Sequence, residues 1–187
     1  MRGLAILLVL AGSAAGAQTA TREEGLAAWE RIFAVASHPR CTNCHVGAQE
    51  EPMWEGLVYG AGAPHGMNVR AGDSRVGAET LPCRTCHIGA AGANDRPHAA
   101  PRIDDAWRLP PVELDWLGED SLSVCTQLRD PDRNDGHDIA GLVAHLQSSA
   151  FVAWGFAPGG GRSAPEGTPA QMARDVEIWG AAGSPCE

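Results

Sequence analysis

Apolar positions recur at helical spacing in four stretches of the chain and almost nowhere between them. In residues 21–36, TREEGLAAWERIFAVA, Leu26, Trp29, Ile32, Phe33 and Ala36 share one stripe, with Thr21 and Glu24 in capping-box order. The following His38-Pro39 stops that helix, since a residue before proline is driven out of the helical region. Residues 121–129, SLSVCTQLR, predict a short helix capped by Ser121 and ended before Pro131. Residues 138–148 predict another, capped by Asp138, with Leu142, Val143 and Leu146 facing inward. The last runs from Pro169 to Trp179, with Thr168 as cap, Gln171 completing a capping box, Gly180 as terminator and Met172, Val176 and Trp179 on the core side.

From Cys41 to about Leu117 there is no sustained period, and glycine and proline are frequent, so this part reads as loops with short helical turns and no convincing strand. The expected class is mainly α: a few short helices joined by long Gly/Pro-rich loops. Two loop motifs carry no chemistry. PGGGR, 158–162, is a flexible turn without the lysine and hydroxyl residue of a phosphate loop, and DPDRNDG, 130–136, misplaces the glycine of a calcium loop and has Gly141 where that loop needs glutamate.

The chain opens MRGLAILLVLAGSAAGA: one arginine, a short apolar run, then small residues in A-x-A order. That is the layout of a secretory signal peptide ending near Ala17, which predicts a single mature domain over 18–187, exported to the periplasm. The run is too short to span a bilayer. The net charge of −9 becomes −10 without Arg2, which disfavours nucleic acid and anionic membranes as partners and favours a protein with a basic docking surface. Aromatic residues are only 5% of the chain. Bulky core side chains are scarce, and a bound group is expected to fill the shortfall.

Four of the six cysteines fall in two pentapeptides, CTNCH (Cys41, Cys44, His45) and CRTCH (Cys83, Cys86, His87). C-x-x-C-H is the attachment motif of c-type haem: two thiols about a helical turn apart meet the vinyl groups of one porphyrin edge, and the histidine reaches the iron. A zinc site would set its C-x-x-C pairs closer than the 38 residues, 45–82, that lie between these. A redox dithiol would occur once, in a βαβ setting. Two motifs behind an export signal predict two covalent haems, with a largely unfolded apoprotein. Cys125 and Cys186 remain, and an even remainder in an exported chain predicts a disulfide between them.

Ligands for the far side of each iron come from the remaining histidines and methionines. His38 and His98 adjoin prolines in expected surface turns, His137 lies in a polar loop, Met53 adjoins Trp54, and Met172 belongs to a core stripe. His145 lies along the buried face of its helix. His65 and Met67, in PHGMNVR between the two motifs, are within reach of either porphyrin; His65 is favoured, with Met67 as alternative. The choice matters because methionine ligation raises the potential over bis-histidine ligation. Arg70, Arg75, Arg84 and Arg102, near the motifs, are either propionate partners or solvated surface charges.

HPRCTNCH, HGMNVR, CRTCH, WRLPP, LRDPDRN, LVAHL and WGFAPGGGR, in this order, resemble a family of small exported dihaem c-type cytochromes, some of whose members are labelled isoquinoline 1-oxidoreductase subunits. The resemblance covers most of 38–186 and implies distal histidines at positions matching His65 and His145; at the position of Met67 relatives carry other residues. It implies an electron carrier, free or as the electron-transfer subunit of a dehydrogenase. Two other classes are weighed against this. A haem enzyme or gas-binding protein, peroxidase-like, would have one open five-coordinate haem with His98 as acid/base. A haem-free metal module fits the repeated C-x-x-C-H poorly.

Overall fold

The computed structural model describes residues 20–54, 62–89 and 94–187; the segment read as a signal peptide lies outside them. The helices are α1 (Arg22–Ala36), α2 (Pro39–Thr42), α3 (Ser121–Arg129), α4 (Ile139–Ser148), α5 (Ala150–Phe156) and α6 (Pro169–Ala181). Single 3-10 turns occur at Gly66–Asn68 and Cys83–Thr85. The class is mainly helical with long loops, as expected. A two-residue antiparallel ladder, β1 (Met53–Trp54) with β2 (Ala63–Pro64), is present where no strand was expected.

The caps explain where sequence and structure part. The Thr21–Glu24 box opens α1 as predicted. His38-Pro39 does more than end that helix: His38 is extended, its Nδ1 accepts from Arg40 N at 3.1 Å, and Pro39 begins α2. The cap of α3 is Asp120, whose Oδ1 accepts from Ser123 N at 2.8 Å, rather than Ser121, whose hydroxyl accepts from Trp29 Nε1 at 2.8 Å. The α6 helix runs through Gly180. A Cβ there would come within 2.7 Å of Ile139 of α4, so this glycine serves packing, and Gly183, at φ +82°, follows the C-cap Ala182. The unpredicted α5 follows at once because Ser149 closes α4 and caps α5, accepting from Val152 N.

The core lies where α1 packs on α6, α4 on α6 and α3 on α1. The Trp29 and Trp179 rings meet at 5.4 Å, and Trp179 Nε1 donates to Pro185 O at 2.9 Å. Gly25 lets α1 approach the C-terminal segment; a Cβ would lie 2.4 Å from Ala182 Cβ. The Cys125–Cys186 disulfide, 61 residues apart in sequence, joins α3 to the C-terminus. Ala28, Ile32, Val124, Met172 and Val176 lie in this interior, joined by Leu114 and Trp116 from the loop that precedes α3. Among the described residues, the loop half has a small buried cluster of its own, Val46, Ala71 and Leu109.

Isolated hydrogen bonds also hold the loop half. Arg75, 2% exposed, donates from Nη2 to Val46 O at 2.9 Å, from Nη1 to Gly72 O at 3.3 Å and from Nε to Pro110 O. It is thus not a surface charge: its guanidinium joins the segments of Val46, Gly72 and Pro110 through their carbonyls. Arg162 does the same for the glycine turn, donating to the carbonyls of Asn94, Arg96, Ala99, Pro158 and Gly159.

Candidate haem-binding turns

Both pentapeptides fold into the same local shape. In the first, α2 carries Cys41, and the N–H of His45 donates to Cys41 O at 3.1 Å; in the second, the N–H of His87 donates to Cys83 O at 3.0 Å from a 3-10 turn. Each turn sets the histidine at its far end. The second is held by Gly77 (φ +73°), where a Cβ would lie 2.6 Å from Leu81 O and 3.2 Å from Cys83 Sγ. All four cysteines are free thiols. Burial, then the neighbouring Cys44, pushes the Cys41 thiol up to about 12; burial likewise pushes Cys44 up to about 11. A redox dithiol works through a thiolate of lowered pKa, and these environments act in the opposite sense.

The histidines share a second feature. His45 Nδ1 lies 3.3 Å from Leu114 O, His87 Nδ1 3.1 Å from Pro101 O, and His65 Nδ1 2.9 Å from its neighbour's carbonyl, Gly66 O. A carbonyl only accepts, so Nδ1 carries the proton in each and Nε2 keeps its lone pair. This is how metal-binding histidines are oriented. Aromatic plates fix two of the rings: His45 stacks on Trp116 at 3.5 Å between centroids and 4° between planes, and His87 on Trp107 at 3.7 Å and 24°. Burial lowers the His45 pKa to about 3 and also lowers that of His87, so both rings are neutral near pH 7.

His65 faces the second turn, its ring centroid 6.2 Å from that of His87. Two imidazoles on opposite sides of one first-row metal, at about 2 Å each, have ring centres roughly 6 Å apart. The N–H of His65 donates to Pro52 O at 2.8 Å beside the β1–β2 ladder. Met67 also lines the cavity there, but it is 69% exposed, at φ +64°. His98 lines the same cavity, edge-on to Trp54. The cavity has a volume of about 380 Å³ and is walled by Cys44, Cys83, Cys86, His87, Trp107 and Trp154 among others, a size and apolar character suited to a cofactor.

At the first turn, His145 of α4 is near enough for its charge to depress the His45 pKa. His145 is exposed as a residue, yet desolvation of its ring, then His137, lowers its own pKa. His137, set aside on sequence as a polar loop residue, stands 5.9 Å from His145. Asn134 brings it there: the buried amide accepts from His137 N at 2.8 Å and donates to Leu128 O and His137 O. A fully buried asparagine inside DPDRNDG was the only signal, and burial is not visible in sequence. Met172 is in the core, as its stripe implied. Arg84 and Arg102 are exposed, and Arg70 donates to Gln49 O and Asn68 Oδ1.

Among the described residues, no three His, Cys, Asp or Glu side chains converge as a set able to hold a metal ion alone. Each of the two turns presents two free thiols and one histidine. Comparison with known proteins returns no matching family model, no similar curated protein and no similar solved structure.

Proposed function

We propose that this chain is an exported dihaem c-type cytochrome that carries electrons, as a free periplasmic carrier or as the electron-transfer subunit of a dehydrogenase. One observation carries the reading. Two C-x-x-C-H turns of the same shape each present two free thiols and a neutral histidine whose Nδ1 is tied to a carbonyl and whose ring lies on a tryptophan. Cys41, Cys44, Cys83 and Cys86 supply the thioethers; His45 and His87 supply the proximal nitrogens. The 6.2 Å spacing supports His65 as distal ligand at the second site, and the coupling to His45 supports His145 at the first.

The bound iron supplies one-electron chemistry, and the chain sets its conditions. Trp116 and Trp107 hold the imidazole planes and exclude water from them. The carbonyls of Leu114 and Pro101 accept from Nδ1 and raise the basicity of Nε2, a lever on potential together with burial. With two histidines per iron no substrate position is needed, and an acidic surface suits a basic redox partner. Absorption spectra of the purified exported protein, oxidised and reduced, with carbon monoxide added to the reduced form, test this. Low-spin bands without a methionine charge-transfer band, unmoved by carbon monoxide, are expected, together with a mass raised by two haems. A carbon monoxide shift in part of the haem would move the open-site enzyme or sensor ahead, and a chain without haem would end the proposal.

A further inference from the structure

Arg75 carries a positive charge into the ground between the two turns. It is among the largest fully buried side chains of the described residues. On one side its Nη2 donates to Val46 O, the carbonyl next after His45, at 2.9 Å. On the other, the carbonyl of Val76, the residue that follows it, accepts from the N–H of Cys83 at 3.0 Å. The N–H of Leu109 donates to Arg75 O at 2.8 Å, and Leu109 belongs to the small cluster against which Cys44 packs. The electrostatics agree with these contacts. Burial is the first influence on the pKa of Cys44, His45 and Cys83, and behind it the charge of Arg75 reaches all three. The pKa of His87 responds to burial, the Pro101 carbonyl and His65 instead. The hydrogen-bond partners of Arg75 are carbonyls, which carry no net charge, and among the described residues no carboxylate comes within ion-pair distance of it. Glu113, Asp115 and Glu79 face it from further off, as does Arg108. A guanidinium keeps its proton at any working pH. The interior screens the field of this permanent cation far less than water would.

We infer that Arg75, held between the two turns by the carbonyls of Val46, Gly72 and Pro110, sets redox potential: its charge raises the midpoint of the haem at each turn, and of the first more than the second. The inference rests on the dihaem reading above. A ferric iron loses one positive charge when it takes up an electron, so a cation nearby favours the reduced state. At the first turn Arg75 acts on Cys44 and on the proximal His45; at the second it acts on Cys83 but not on His87. Its contribution therefore biases an electron shared by the two haems toward the first turn.

Potentiometric titration of the holoprotein, followed optically, reads this in Arg75→Gln, Arg75→Lys and Arg174→Gln, the last an exposed arginine of α6 whose loss changes the net charge equally. Arg75→Gln is expected to lower both midpoints, the first-turn one by up to about tenfold in oxidised-to-reduced ratio at fixed poise, 59 mV for a one-electron couple, and the second-turn one by less. The midpoint displaced in His65→Ala identifies the second turn. The axial-ligand spectra stay as in the wild type, Arg75→Lys keeps both midpoints in mildly acidic buffer, and Arg174→Gln shows no shift. Haem-loaded Arg75→Gln with both wild-type midpoints overturns the inference alone. So does Arg75→Lys that shifts them as far as Arg75→Gln, because the loss would then be one of packing and not of charge. Should Arg75→Gln not fold, Arg75→Lys decides it: the introduced amine sheds its proton as pH rises, since burial disfavours its charge, and both midpoints are expected to fall relative to the wild type. Midpoints that track the wild type throughout overturn the inference. Wild-type protein without covalent haem overturns both this inference and the function it rests on.

Discussion

At the scale of single residues, the proposed choice of distal ligand reduces to which side chain is held and which is loose. His65 is anchored through its N–H to Pro52 O and its Nδ1 to Gly66 O, whereas Met67 is mostly exposed. Met67→Leu is therefore expected to leave the spectra of both haems unchanged. His65→Ala is expected to open one site, so that carbon monoxide binds about half of the reduced haem, the change in ligation also moving its potential. A methionine band lost in Met67→Leu would reverse the assignment. The C-x-x-C-H turns were readable from residue type and spacing, whereas the sequence left His65 and Met67 as alternatives. The places of His137 and Arg75 were not readable, since each is owed to a fold contact: Asn134 inside its loop, and the carbonyls of Val46, Gly72 and Pro110.

At the scale of elements, two constraints in the chain do opposite work. Gly77 sits in the left-handed region with no room for a Cβ beside Leu81 O and Cys83 Sγ. Gly77→Ala is expected to cost about 1–3 kcal/mol locally, read as reduced haem incorporation at the second turn with the first fully loaded; full loading of both would show that the turn tolerates the strain. The disulfide acts away from the sites, tying α3 to the C-terminus across 61 residues. Replacing both cysteines by serine is expected to lower stability by roughly 4 kcal/mol in the chain-entropy model. Denaturant melts under oxidising conditions check this, with the haem spectra as the quantity that should not change. Cap chemistry made α1, α4 and the start of α6 legible. The exceptions have physical causes: Ser121 gives its hydroxyl to Trp29, and Gly180 makes room for Ile139.

At the scale of the molecule, the larger buried cluster is built mostly from helices, with Leu114 and Trp116 added from the loop half, and the loop half has a smaller cluster of its own. The apoprotein is expected to be largely unfolded, and the loop half, with the smaller cluster, is where that loss is expected to begin. Circular dichroism of haem-free protein is expected to lose most of its helical signal, with proteolysis cutting first within residues 43–117; a retained helical signal would mean that the helices stand without the haems. Acid bears on the same chain through His45. Its folded pKa lies near 3 against the 6.5 of a free imidazole, so between those values the unfolded state binds the extra proton. Stability of the haem-free chain from this group is complete above about pH 6.5 and falls by about 1.4 kcal/mol per pH unit below it, measurable as a drop in melting temperature. The sequence by itself determined the helices with strong caps, the two C-x-x-C-H turns and the pairing of the last cysteines, because each is a local rule of spacing or an arithmetic of residue types. Tertiary structure alone decided which histidine faces which turn, and that Arg75 and Arg162 join loop segments through backbone carbonyls. Those depend on contacts between segments far apart in the chain, where nothing in the local pattern records which side chain will find which carbonyl.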